Sequence, residues 1–452
     1  MLFLALYRIA WEPVLWAFRF LAALEGIAHA LTGRTLWPAR WRLDERLFIP
    51  SSPEDARTNA GTIWLHAASL GEAKGLWAFA QILRRRLNEE QGEGNTGPRF
   101  LFTTNTVAGL GFLNGALEEA GDGRQAARLA PPDHPRVAKA FLRAYDVRAL
   151  VFFEVELWPH WIAATRNKKG RANVPSLWIS ARLTERARRR YAGNPLFAGA
   201  FRRVLRDITW IQTQTEEEEH ALRRLGARDV VTGGDLRGLH YLAGLHSTAT
   251  ERLRSPADQN PARRGIAFVS LHAHELPVLL PEIRKAATAP PENPVFVFPR
   301  RLEECSSFLR ALAPLGFSLH SKNPLATRVI VDAFGRVGEA LSQVRTAVIG
   351  GSFGASTRIG GHNLWEPLLA GTFIVIGPHH GSQAYLARRL ETAGLLRVPR
   401  DDGTSGFLND DFAFTDRQDA RAEFIDAERA RLANAADHAA RILTECLQAH
   451  TK

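Results

Sequence analysis

Two rhythms of apolar residues alternate along the chain. Short, continuous apolar runs rich in β-branched and aromatic residues end in small or charged residues. Each is followed by a longer stretch with apolar positions three or four apart. Residues 62–66 (TIWLH) form the first such run and residues 71–87 the first helical stretch. Further runs at 99–103, 149–153, 176–180 and 208–212 predict strands with helices between them. Continuous apolar runs of this kind are those of strands buried on both faces, so the alternation predicts a parallel sheet covered by helices. The polar, proline-containing stretch 240–264 interrupts the rhythm and reads as a connection. It then restarts at 266–270, 295–298, 327–331, 346–349 and 373–376, and residues 416–448 close the chain as a helix. Two α/β halves of one pattern predict two Rossmann-like domains facing a cleft, with ligands at the carboxyl ends of the strands.

The first 24 residues follow neither rhythm. MLFLALYRIAWEPVLWAFRFLAAL is mostly apolar and aromatic but is broken by Arg8, Glu12, Pro13 and Arg19. Those interruptions disfavour a cleaved signal peptide or a clean membrane span. Aromatic residues beside arginines fit a helix lying in a membrane interface, and a buried N-terminal helix is the competing reading. The expected domains are therefore an anchor helix over 1–25, a Rossmann-like domain over 26–240, a second Rossmann-like domain over 241–415 and a helix over 416–452.

Composition narrows the partners. At 452 residues, 45% hydrophobic and 23% charged, the chain has enough apolar material for two ordinary domains. The net charge of +11 fits either an anionic partner, whether nucleic acid, acidic phospholipid or a phosphorylated substrate, or simply a solvated arginine-rich surface. No zinc finger, RNP-type motif or aromatic-basic alternation points to nucleic acid. Two distant cysteines, Cys305 and Cys446, give neither a disulfide framework nor a zinc pattern.

Candidate chemistry gathers where predicted strands end. Ser69-Leu70-Gly71-Glu72 follows the first strand and places a carboxylate in the first turn of a helix, where it could take a proton or merely complement the helix dipole. Glu154 and Glu156 follow the third, and two such carboxylates beside a sheet call for a use or a partner. Arg182 follows the fourth. In the second half a strand runs into Gly350-Gly351-Ser352, then Gly360-Gly361-His362-Asn363 and Glu366, while Arg300 and Arg301 end another strand. Glycine turns let backbone N–H groups approach phosphate, and guanidinium groups pair with it. Neither segment is a P-loop or a dinucleotide fingerprint.

Taken in order, TIWLHAASLGEAKG, FTTNT, EVELWPHWIAA, WISARLTERA, IQTQTEEEEHALRRLGA, VTGGDLR, FPRRLEE, GGS and GGHNLWEPLLAG followed by GPHH resemble the 3-deoxy-D-manno-octulosonic acid (Kdo) transferases. These are inverting glycosyltransferases of the GT-B fold. The resemblance implies transfer of Kdo from CMP-Kdo to a lipid A precursor, without a metal, at the cytoplasmic face of the inner membrane. It makes Glu72 the catalytic base and assigns Arg300, Gly350, Gly351, Ser352, His362, Asn363 and Glu366 to the nucleotide. Ser69, Gly71, Glu156, Arg182 and His272 are assigned to the substrates. The chain departs from the family pattern at Leu271, Arg301, Asp235, Arg237 and Arg336, several of which flank the expected donor pocket. The rival readings are another GT-B sugar-nucleotide enzyme, such as a lipid A disaccharide synthase or an epimerase, and a non-catalytic membrane-surface relative.

Overall fold

The computed structural model describes residues 61–91, 97–121, 123–155, 157–166, 174–184, 187–189, 195–243, 265–333, 335–354, 359–399 and 418–451. Ahead of them it describes residues 9, 11–18, 20–21, 24 and 46–47. The chain divides into two compact units: Met1–His240 with Ala430–Lys452, and Tyr241–Arg429.

The first unit is built on seven strands, β1 Thr62–Ala67, β2 Arg99–Thr104, β3 Ala126–Leu129, β4 Val147–Phe153, β5 Ser176–Ala181, β6 Trp210–Thr213 and β7 Val230–Thr232. They lie in the order β3-β2-β1-β4-β5-β6-β7, all parallel. The second unit repeats the plan with β8 Gly265–Leu271, β9 Val295–Pro299, β10 Ser318–Leu319, β11 Arg328–Ile330, β12 Val344–Ile349, β13 Phe373–Ile376 and β14 Leu396–Arg397. Its order is β10-β11-β9-β8-β12-β13-β14. The first sheet reverses its winding between β1 and β4 and the second between β8 and β12, and in the second sheet β11 also inserts between β9 and the edge strand β10. At such a switch point the flanking loops diverge to opposite sides and leave room for a ligand.

The central strands are apolar because both faces are covered. Trp64, Phe152, Trp161 and Trp178 are fully buried in the first unit, and Phe268, Phe308 and Phe353 in the second. His66 belongs to this core: one ring nitrogen pairs with Thr103 Oγ1 at 2.9 Å, and the other accepts from Trp158 Nε1 at 3.3 Å. Four helices matter below: α1 Leu70–Gln91, α2 Val107–Ala120, α3 Glu216–Arg224 and the closing α4 Gln418–Thr451. The closing helix is shared, since its residues up to Arg429 belong to the second unit and the rest to the first.

The described residues between 9 and 24 are helical. Leu15 is buried, and Glu12 pairs with the buried His134 at 3.3 Å. Ile9, Val14, Trp16 and Phe20 are exposed. Among the described residues, no helix is long and apolar enough to cross a membrane.

Candidate active site

Both units gather their polar side chains at the switch point. In the first, β1 runs into α1 through Ala68 and Ser69, and Glu72 sits in the first helical turn, buried. Its Oε2 accepts the Ala68 N–H at 2.8 Å and its Oε1 accepts the Ser69 hydroxyl at 3.1 Å. This is the reciprocal logic of a capping box, in which a helix-start carboxylate satisfies amides the helix leaves unpaired. Gly71 beside it faces open space. One turn on, a Cβ on Gly75 would lie 2.8 Å from both Arg237 Cα and Phe153 Cζ, so glycine lets α1 close onto the strand ends.

The neighbouring strand ends carry an ionic network. Glu154 ends β4 with φ +61° and is buried, and Arg182 grips its Oε1 through Nε at 3.1 Å and Nη2 at 2.9 Å. Arg237 reaches the same Oε1 at 3.5 Å and forks onto Asp235, with Nη2–Oδ2 at 2.6 Å. Burial alone would lower the Arg237 pKa, but Asp235, Glu154 and Glu72 outweigh it and hold the guanidinium firmly charged. Ser180, at φ +53° near the end of β5, accepts the Leu236 N–H at 3.1 Å and ties Asp235 and Gln214 into the network. Left-handed conformations at residues other than glycine cost energy and cluster where side chains must be aimed. Arg182 thus lies where the sequence put it, but bound to Glu154. Glu156 lies outside the described residues.

Glu218 was not singled out from the sequence, although its glutamate run lies in a stretch that resembles the family. Four glutamates run together at the start of α3, and the fold buries this one. Its Oε1 accepts from Leu183 N and Arg188 Nη2, both at 3.2 Å, while Oε2 has no hydrogen-bond partner among the described residues. Burial raises its pKa to about 7 against the opposing pull of Arg188 and Arg182. Asp235 and Arg237, read in the sequence as departures within an otherwise family-like stretch, hold the centre of the network.

In the second unit β8 leads to His272 and Glu275, and β12 leads to the Gly350–Phe353 turn. His272 and His362 meet through their Nε2 atoms at 2.9 Å. Burial lowers the pKa of both, that of His362 to about 4 with help from the charge of Arg300, so the pair is neutral at pH 7. Arg300 is exposed, its backbone N–H fixed on Leu271 O at 2.7 Å. Gly351 has φ +79°, and a Cβ there would lie 2.9 Å from the His362 ring. Asn363 caps the helix Trp365–Leu369 by accepting the Trp365 N–H at 3.0 Å, and Glu366 is exposed in that helix's first turn. His272, Arg300, Gly351 and His362 therefore come together, with Asn363 and Glu366 next along the loop.

The turn differs from its sequence reading in one respect. The turn Gly350-Gly351-Ser352 was expected to hold the nucleotide, and here the amides of Gly351, Ser352 and the following Phe353 donate to the Glu275 carboxylate. That glutamate lies in the segment that supplied His272 and was not singled out as a site residue. Among the described residues no group of three or more His, Cys, Asp or Glu side chains is placed to hold a metal.

Comparison with known proteins bears on what these sites do. The family described as 3-deoxy-D-manno-octulosonic-acid transferase (kdotransferase) matches residues 41–238. The 3-deoxy-D-manno-octulosonic acid transferase of Bordetella pertussis is 29% identical over 411 residues, covering 83% of this chain and 87% of that protein. That of Aquifex aeolicus is 24% identical, covering 77% and 84%. Among solved structures, the UDP-GlcNAc 2-epimerase of Neisseria meningitidis superposes with a TM-score of 0.53 at 12% identity, covering 86% of this chain and 99% of that one. An α,α-trehalose-phosphate synthase from Burkholderia vietnamiensis gives 0.50 at 11% identity, covering 86% and 100%. The structural likenesses establish the GT-B fold and leave the reaction to the sequence relatives.

Proposed function

Since this chain belongs to the 3-deoxy-D-manno-octulosonic acid transferase family, we propose that it transfers Kdo from CMP-Kdo to a lipid A precursor, with Glu72 as base. The observation that carries the role of Glu72 is its position: a buried carboxylate at the switch point, held by Ala68 and Ser69. It takes the proton of an acceptor sugar hydroxyl as that oxygen bonds to the anomeric carbon of Kdo. The bond from that carbon to the CMP phosphate breaks on the opposite face, CMP departs with the electron pair, and configuration inverts.

On the donor side Arg300 supplies permanent positive charge for the phosphate. The neutral His272–His362 pair, Asn363 and Glu366 line the loop that would hold the rest of the nucleotide. A monophosphate leaving group develops less charge than a diphosphate, so the reading needs no metal. The net charge of +11 and the exposed Ile9, Val14, Trp16 and Phe20 support docking of the first unit on an anionic cytoplasmic membrane surface, where a phosphorylated lipid acceptor resides.

The test is incubation of the purified protein, in detergent, with CMP-Kdo and tetraacylated lipid A precursor, followed by mass spectrometry. The expected product is heavier by one or more Kdo units, with turnover reduced at least ~100-fold in Glu72→Gln while CMP binding persists. A Glu72→Gln enzyme of near-normal turnover would remove the base from the mechanism. CMP binding without any transfer would favour a catalytically silent relative.

A further inference from the structure

The turn after β12 is an anion-binding device that the protein has already filled. Gly351 adopts φ +79°, which points the successive amides of Gly351, Ser352 and Phe353 toward one spot. Concave arrays of this kind at the carboxyl end of a strand bind phosphate in many nucleotide enzymes. Here the spot holds Glu275, whose side chain is fully buried. Its Oε2 accepts from Gly351 N and His272 N, both at 2.9 Å, and its Oε1 accepts from Ser352 N and Phe353 N, both at 3.0 Å. Two N–H donors on each oxygen engage both of its acceptor positions, so the carboxyl group is spent on the turn.

The turn has no freedom to retreat and admit a second anion. A Cβ on Gly350 would fall 2.5 Å from Ser270 O, so the backbones already touch. Ser352 Oγ donates to Ile349 O and accepts from Gly377 N, each at 2.9 Å, which pins the turn to its own strand and to the end of β13. Of the side chains gathered beside it, Arg300 carries permanent positive charge, and the His272–His362 pair contributes none at pH 7. Among the described residues the surroundings thus offer cationic charge suited to one phosphate, next to a fixed negative charge.

The geometry points to Glu275 as the residue that restricts the donor to a nucleoside monophosphate, by occupying from within the amides a second phosphate would need. A diphosphate would bring its additional charge against a buried carboxylate with no free amide to receive it. Exclusion by a built-in unfavourable partner is as effective a source of specificity as a better contact for the right ligand. The inference rests on reading the second unit as the nucleotide-sugar domain, and it adds which residue sets the phosphate count.

Calorimetric titration of the full chain with CMP and with CDP keeps the base constant and varies the phosphate number. Wild type should bind CMP more tightly than CDP by about tenfold or more. In Glu275→Ala, which frees the four amides, that preference should shrink by about tenfold or reverse, and inorganic phosphate should become a competitor at millimolar concentration. Equal affinity of the wild type for CMP and CDP overturns the inference, and so does a folded Glu275→Ala with an unchanged ratio. If Glu275→Ala does not fold, Glu275→Asp, which withdraws the carboxylate by one methylene, is read for the same ratio. Binding of neither nucleotide by wild type would instead reject the donor reading itself, a result distinct from equal binding.

Discussion

Glu72 and Glu218 are buried carboxylates of the same sheet end with opposite provisions. Both oxygens of Glu72 are hydrogen-bonded within its own turn, whereas Glu218 keeps one oxygen without a partner among the described residues. The sequence distinguished Glu72, because a carboxylate just after a strand-ending turn has a defined place. It could not distinguish Glu218, one of four consecutive glutamates of which only the fold selects the buried one. The pH dependence follows. A folded pKa of about 7 against an ordinary 4.5 means that Glu218 contributes stability below pH 4.5, lost as pH rises through 7. That displacement corresponds to ~3 kcal/mol at most. Glu218→Gln should flatten the fall in stability between pH 5 and pH 8, as read by urea unfolding at each pH. An unchanged slope would show that the carboxyl is not the titrating group. His362 works with the opposite sign. Its pKa of about 4, below an ordinary 6.5, withdraws stability as pH falls from 6.5 towards 4. His362→Gln should therefore blunt acid destabilisation, and the two variants should bend the pH profile in opposite senses.

At the scale of elements, the strands that sequence found are those with long apolar runs, and the ones it missed are β3, β7, β10 and β14. All four are sheet-edge pieces of two to four residues. An edge strand is covered less completely and needs no continuous apolar run, so its pattern is too short to stand out. The turns at the central strands were legible for the opposite reason: each carries glycine or small residues in a place that only close approach explains. Gly75 shows how strict that is. Within a helix, Gly→Ala ordinarily stabilises by up to ~1 kcal/mol. Here the new methyl would meet Arg237 Cα and the Phe153 ring at 2.8 Å. Gly75→Ala should therefore destabilise by ~1–3 kcal/mol in thermal melts and disturb the Arg237–Glu154 pair. A gain in stability would mean that α1 does not seat against those strand ends. Thr106→Ala, which removes the hydroxyl that accepts the Gly109 N–H at 3.1 Å at the start of α2, should cost ~1 kcal/mol without affecting donor binding.

At the scale of the whole molecule, the alternation of strands and helices announced two α/β halves, but the ending of the chain could not be read the same way. The closing helix stood out as a segment of its own, because a long amphipathic helix carries no label naming the surface it covers. In the structure its later part belongs to the first unit, built more than 200 residues earlier in the chain. Leu432, Ala436, Ala439, Ala440 and Leu443 are fully buried along one face. Around that face Asp437 pairs with Arg86 at 2.7 Å, Thr444 and Gln448 reach Glu90 at 3.2 and 3.0 Å, and His438 lies against Trp210. The ion pair is exposed and adds little. The apolar face is the substantial part, worth on the order of 5 kcal/mol for two leucines and three alanines taken from water. Truncation after Arg429 should thus loosen the first unit, although every strand of that unit remains. Limited proteolysis with peptide mapping should show faster cleavage between residues 62 and 232 in the truncated chain, and Leu443→Ala should produce a milder version, at a cost of ~2–4 kcal/mol. Unaltered protection of that region after truncation would show that the first sheet is complete without the closing helix, and that its residues merely rest on a surface stable in itself.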